Sequence, residues 1–104
     1  MRVLTHPDLD QVDVTAVLHA LSDPVRLKIV RELADSGCYC GELDVPVKPA
    51  TLSHHLKVLR EAGLIRVHAE GSRRWHELRY SELADRFPGL VDTVLAAPAL
   101  ATRT

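Results

Sequence analysis

With 104 residues, of which 46% are hydrophobic and 4% aromatic, the chain is one small globular domain and not a disordered segment. No apolar run approaches the roughly 20 residues of a membrane-spanning helix, and the start "MRVLTHPDLDQVD" turns acidic where a signal peptide is apolar, so a cytoplasmic protein with reduced thiols is expected. The net charge of −1 argues against a uniformly basic protein but conceals an asymmetry: residues 1–47 hold four Lys/Arg against eight Asp/Glu, residues 48–79 seven against three, and residues 80–104 two against three. The positive segment also carries four of the six histidines, as an electrostatic footprint for nucleic acid would.

Val14, Val17, Leu18 and Leu21 recur at helical spacing and predict an amphipathic helix over 10–21. Asp23 and Pro24 then supply an N-cap and a first helical residue. The helix they open carries Leu27, Val30, Leu33 and Ala34 on one face, with Gly37 as its C′ stop. A short helix fits Gly41–Asp44, limited by Pro46. Pro49 opens a longer one that runs to Ala62 and is stopped by Gly63.

Within that longer helix Leu52, Leu56 and Leu59 form the buried stripe. At about 100° per residue, Ala50, Ser53, His54, Lys57 and Glu61 fall on the opposite face, with Arg60 at its edge. After Gly63 the period changes to two: Ile65, Val67 and Ala69 alternate with Arg66, His68 and Glu70, a strand. "EGSRR" is a Gly-containing turn, and a second strand over 75–80 completes a hairpin. Counting back from Leu78 puts His76 and Arg74 on the core face and Trp75 outside, but the phase of this strand stays open. Leu83, Phe87, Leu90, Val91, Val94 and Leu95 form a last apolar helical face, interrupted at "FPG". The fold class is therefore mainly α with a small β-hairpin: a winged helix-turn-helix, ordered α-α-α-α-β-β-α, over residues 1–95, followed by a disordered tail over 96–104.

A helix that reads a major groove must bury one face and offer short polar side chains on the other. Thr51, Ser53, His54 and Lys57 meet that condition, and Lys48 stands at the helix N-terminus, where the macrodipole favours a phosphate. Ser72, Arg73 and Arg74 at the hairpin tip suit phosphate or minor-groove contact. Each of these residues alone reads equally as solvated surface. His55, beside the buried stripe, suits packing or backbone bonding as well as a DNA contact, and Trp75 suits core or interface. The combination in this order carries the DNA reading.

"ALSDPVRLKIVREL", "TLSHHLKVLREAGLI" and "EGSRRWHELR" together resemble the ArsR/SmtB family of bacterial winged-helix repressors over residues 14–95. The resemblance implies a homodimer on double-stranded operator DNA with dyad symmetry, paired through its first and last helices, and an inducer that weakens DNA binding. By position it assigns Thr51, Ser53, His54 and Lys57 to the recognition surface and Ser72, Arg73 and Arg74 to the wing. Val14, Val17, Leu18, Leu90, Val91, Val94 and Leu95 would form the dimer interface, which also suits an apolar surface larger than a small domain covers by itself. The alternative is that the last helix packs only onto its own core.

"CYCGEL" resembles the "CVCDL" phrase of the family's arsenic sensors, which would make Cys38 and Cys40 ligands for As(III), Zn, Cd, Cu or Ni. Residues i and i+2 share an ion only if the segment is extended, with Cα atoms ~6.6 Å apart. A trigonal thiolate site needs a third donor, with His6, His19, His68 and His76 as scattered candidates, and residues 81–104 hold no histidine for the family's zinc-type interfacial site. The competing readings are a strained, easily reduced Cys38–Cys40 disulfide and two small hydrophobes. Two function alternatives stand beside the inducible repressor: a redox-responsive or inducer-independent regulator whose cysteines are structural, and a winged-helix protein-interaction module that does not touch DNA. The chain has no GxSxG, P-loop, HExxH or CxxC motif, so a non-enzymatic protein is expected.

Overall fold

The computed structural model describes residues 4–98. Where one helix is expected over 10–21, two caps divide the segment. Asp8 accepts from the Asp10 N–H at 3.0 Å and closes a 3-10 turn, Leu9–Gln11. Asp13 accepts from the Thr15 N–H at 2.8 Å and opens helix α1, Val14–Leu21. An Asp side chain that captures a nearby N–H favours a helix start over a helix interior, so α1 begins late.

Helix α2, Pro24–Asp35, starts on Asp23, which accepts from the Arg26 N–H at 3.0 Å. Its buried face is rotated from the expected one: Arg26, Ile29, Val30 and Leu33 are buried, Leu27 is half-buried and Ala34 is exposed. The rotation brings the Arg26 guanidinium under the end of α1, where Nε donates to Ala20 O at 2.7 Å and Nη2 to His19 O at 3.3 Å. The last carbonyls of a helix point out of it: His19 O also accepts from the Ser22 N–H and hydroxyl at 3.1 and 2.7 Å, and a cation is favoured at that pole.

Gly37 does not end α2 as a left-handed residue. Ser36 caps it in extended geometry, φ −165°, and the described glycines with positive φ are Gly63, Gly71 and Gly89. Gly37 is needed for close approach instead: a Cβ there would lie 2.7 Å from Trp75 Cζ2. The chain then forms a two-residue strand β1, Cys38–Tyr39, and a 3-10 turn, Cys40–Glu42, in place of the expected short α-helix.

Helix α3, Pro49–Glu61, buries Leu52, Leu56 and Leu59 as the spacing predicts. Gly63, at φ +85°, turns the chain into strand β2, Ile65–Glu70. Strand β3, Arg73–Leu78, returns antiparallel, pairing Ile65 with Leu78, Val67 with His76 and Glu70 with Arg73. β1 adds to the other side of β3, pairing Cys38 with His76 and Tyr39 with Trp75. The expected hairpin is therefore a three-stranded sheet in the order β1-β3-β2. The phase of β3 resolves with His76 inside, 3% exposed, and Trp75 outside against Gly37 and Tyr39, whose ring it meets edge-on at 5.0 Å. Arg74, on the His76 side, lies beyond the core and is exposed.

Helices α4, Tyr80–Arg86, and α5, Leu90–Ala96, complete the described chain and are separated at Phe87–Gly89, as "FPG" predicts. The centre of the core is Val17, Ile29, Val30, Leu59, Leu64, Ile65 and Leu83, each essentially without solvent contact. Of the expected tail, Ala96 closes α5 and residues 99–104 lie outside the described residues.

Candidate nucleic-acid interface

Helix α3 reaches the surface because its leucine stripe is fastened to the core while its first turn projects from it. Lys48, Thr51, Ser53, His54 and Lys57 are all exposed. Lys48 occupies the N-cap without a capping side-chain hydrogen bond, and Pro49 follows at the first helical position. The first-turn N–H groups are thus left without a side-chain acceptor, which suits an incoming phosphate.

His55 does not belong to this surface. Its Nδ1 lies 3.2 Å from Arg26 Nη1 and 3.9 Å from Asp23 Oδ2. A guanidinium only donates, so Nδ1 is the acceptor, and the ring ties α3 to the start of α2.

On the wing, Ser72, Arg73 and Arg74 are exposed as expected. Arg73 is also held from below: its guanidinium lies 3.5 Å from the centre of the Tyr39 ring, and the Tyr39 hydroxyl donates to Glu70 Oε2 at 2.7 Å. This stack orders a cation that would otherwise sample many rotamers. Tyr39 was not among the expected site residues, because its partnership with Arg73 arises only through the β1–β3 pairing. Arg74 turns instead toward α3, where it lines one cavity with Ser53, Lys57 and Arg60.

A helix-turn-helix domain family matches residues 21–68, the segment from the end of α1 through α3 into β2. The MJ1325 helix-turn-helix regulator of Methanocaldococcus jannaschii is 41% identical over 59 residues, covering 54% of this chain and 66% of that protein. The arsenical resistance operon repressor of Staphylococcus aureus is 33% identical, covering 70% of this chain and 72% of that protein. Among solved structures, the transcriptional repressor BigR of Xylella fastidiosa superposes with a TM-score of 0.64 at 31% identity, over 78% of this chain and 81% of that one. The chain belongs to the ArsR/SmtB family. It is a DNA-binding transcriptional regulator, not an enzyme.

Within this ArsR/SmtB fold the cysteine pair meets the conformational condition for chelation but not the donor condition. Cys38 is in β1 and Tyr39 is extended, so Cys38 and Cys40 both pack toward the core, half-buried. Burial raises both thiol pKa values, and Glu42 and Glu32 raise that of Cys38 further. Neutral thiols with acidic neighbours are poor metal ligands and poor nucleophiles. Among the described residues no group of three or more His, Cys, Asp and Glu side chains is placed to hold a metal. His68 Nε2 is engaged by Glu77 at 3.0 Å, and His6 Nε2 accepts the Val67 N–H at 3.0 Å. His19 is exposed on α1, and His76 is buried. Among the described residues, therefore, nothing completes a metal site around the two thiols.

The apolar dimer candidates divide in two. Val17 and Val91, at 0% and 4% exposure, are spent in the core of the chain itself, because their helices turn these positions inward. Val14 and Leu18, at 39% and 47%, stand in solvent on α1, and Leu90, Val94 and Leu95 are half-buried on α5. Val14 and Leu90 line a common groove with Phe87, so the exposed faces of α1 and α5 adjoin. Among the described residues no helix is long and apolar enough to cross a membrane.

Proposed function

We propose that the chain is a cytoplasmic, homodimeric repressor that grips operator DNA with Lys48, Thr51, Ser53, His54 and Lys57 of α3 and with Ser72, Arg73 and Arg74 of the wing. The observation that carries this reading is the exposed polar face of α3 together with a wing cation ordered on Tyr39. Ser53 and Thr51 are short enough to let the helix backbone enter a major groove, and the cations neutralise phosphates on either side. Val14, Leu18, Leu90, Val94 and Leu95 form the pairing surface, which sets two α3 helices about one DNA turn, ~34 Å, apart. Repression follows by occupancy of the operator, and whatever lowers DNA affinity induces. The incomplete donor set of Cys38 and Cys40 favours an inducer other than a metal bound by those two thiols alone, and their raised pKa values disfavour a fast redox switch.

The test is DNA binding by fluorescence anisotropy, using duplexes selected from a random library, at several salt concentrations. Affinity should fall steeply with salt, and Lys57→Ala with Arg73→Ala, which together remove four cations from a dimer, should weaken binding and reduce the salt slope by about four units. Salt-independent binding, or an unchanged slope in the double variant, would reject the interface and favour a protein-interaction module.

A further inference from the structure

Glu70 and Arg73 are cross-strand partners, the pair that closes the hairpin around Gly71 and Ser72. Opposite charges set directly opposite on one face of an antiparallel pair attract, and an ion pair is the ordinary outcome. Here it does not form: among the described residues neither side chain takes part in an ion pair. Both are exposed, so no packing keeps them apart. Tyr39 separates them instead. Its hydroxyl donates to Glu70 Oε2 at 2.7 Å, and the Arg73 guanidinium lies on its ring, 3.5 Å from the ring centre. One side chain thus holds the acid with its oxygen and the base with its face.

Tyr39 is itself fixed from three sides. It pairs with Trp75 through β1, the Trp75 ring meets it edge-on at 5.0 Å, and its N–H donates to Glu42 Oε1 at 2.7 Å. The hydrogen bond to Glu70 is the chief cause that raises the Tyr39 pKa above its usual 10, so the hydroxyl keeps the proton it donates through neutral pH. The consequence is electrostatic. A carboxylate on Arg73 would satisfy the guanidinium within the protein, and a phosphate contact would first have to break that pair. A guanidinium on a ring face keeps its full charge, and its planar fork of N–H donors stays free for an incoming phosphate.

We infer that Tyr39 is a positioning residue of the wing: its hydroxyl withholds Glu70 from Arg73, and its ring presents the freed cation to DNA. The inference rests on the proposed DNA interface, in which Arg73 contacts the DNA. Glu70 is then a competitor of the DNA built into the hairpin, idle while Tyr39 holds it. The affinity of the wing is set from β1, outside the hairpin that carries its basic residues.

The experiment compares the full chain with Tyr39→Phe, Glu70→Gln and their combination, by two readouts. The first needs no DNA. In the wild type the Tyr39 ring current should move the Arg73 δ-methylene protons upfield in the NMR spectrum. Tyr39→Phe keeps a ring but releases Glu70, which should draw Arg73 away and abolish the shift, and adding Glu70→Gln should restore it. The second readout is fluorescence anisotropy on duplexes selected with the wild type. Tyr39→Phe should raise the DNA Kd about fivefold, since both wings of a dimer must break an exposed ion pair, and lower the salt slope by up to about two units. In the Glu70→Gln background the same change should move the Kd by less than about twofold. A merely structural Tyr39 costs the same in both backgrounds, and that result overturns the inference. An Arg73 shift that is absent from the wild type, or that survives Tyr39→Phe, overturns it too. Glu70→Asp, one methylene too short to reach the hydroxyl, should reproduce both losses with Tyr39 intact, so a misfolded Tyr39→Phe does not remove the test. Ring shifts as expected without salt-sensitive DNA binding in the wild type would reject the DNA reading and the role of Tyr39 within it. Salt-sensitive wild-type binding with equal losses in both backgrounds rejects the role of Tyr39 alone.

Discussion

Arg26 is the residue at which α1, α2 and α3 meet. Its guanidinium supplies donors to the last carbonyls of α1 and to His55 of α3, from a position in α2 that the helical pattern assigns to solvent. A buried cation is tolerated when its donors are satisfied, and removing it takes the donor from the Ala20 carbonyl and from His55 Nδ1, while His19 O keeps Ser22. Arg26→Met should therefore lower the unfolding free energy by about 2–4 kcal/mol, read from urea denaturation. Arg26→Lys should recover only part of the loss, because one ammonium cannot span three acceptors in a fixed fork. A loss under about 1 kcal/mol in Arg26→Met would show that the contacts are incidental. Gly37 is a second such residue, small because the Trp75 ring lies on it. Gly37→Ala should cost about 1–3 kcal/mol through displacement of that ring, and the emission of Trp75 should shift with it. Neither role is visible in the order of residues. Arg26 looks like a polar-face arginine, and Gly37 looks like an ordinary helix stop.

At the scale of elements, the segment before α1 acts as a strap over one edge of the sheet. β2 is an edge strand in the order β1-β3-β2, and unpaired edge groups need a partner. His6 Nε2 accepts the Val67 N–H there. Arg60, Arg79 and Arg86 hold the same segment through the carbonyls of Thr5, Pro7, Leu9 and Val12. Burial, then the charges of Arg66, Arg60 and Arg79, lowers the His6 pKa below 6.5. A folded pKa below the unfolded value means the unfolded chain binds the proton more readily. The contribution is therefore complete above about pH 6.5 and is lost as pH falls below that value toward the folded pKa. Between pH 7.5 and 5.5 the protection factor of the Val67 amide, its exchange corrected for intrinsic base catalysis, should fall more than that of Ile65, and His6→Gln should remove most of that pH dependence. Equal loss of protection at both amides would mean that the strap does not release. The acid limb has a second component lower down. Arg79 and Arg66 hold the Glu82 carboxyl at about pKa 2, so its contribution is complete above about pH 4.5 and is lost progressively as pH falls from there toward 2. The elements legible in the sequence are those with a period: the leucine stripe of α3, the alternation of β2 and the break at "FPG". β1 has two residues, too few for any alternation to register, and it is the strand that brings Tyr39 to Arg73. The exposed face of α3 was legible for the same reason as its stripe. The cavity beside Lys57 was not, since Arg60 and Arg74 meet only after α3 packs on the sheet.

At the scale of the whole molecule, the proposed dimer needs a surface that pairs two copies. A regulator that reads both halves of a dyad needs a self-complementary patch away from α3. The exposed Val14 and Leu18 on α1, next to Leu90 on α5, form such a patch, while Val17 and Val91 are already committed to the core. Leu18→Arg separates pairing from folding. The side chain is about half exposed, so its replacement should leave unfolding in urea within about 0.5 kcal/mol of wild type, compared at a concentration where both are monomeric. An unpaired charge in the centre of an apolar interface should raise the dimer Kd at least about 100-fold, read by sedimentation equilibrium. The monomer keeps one α3 and one wing, so its binding to a two-half-site duplex should show about half the salt slope of the wild type. Val17→Ala should do the reverse, lowering the unfolding free energy by about 1–3 kcal/mol while the intrinsic association of folded chains stays unchanged. If Leu18→Arg remains a dimer with the full salt slope, α1 is not the pairing surface, and the α3 helices must be brought to DNA by another face of the fold.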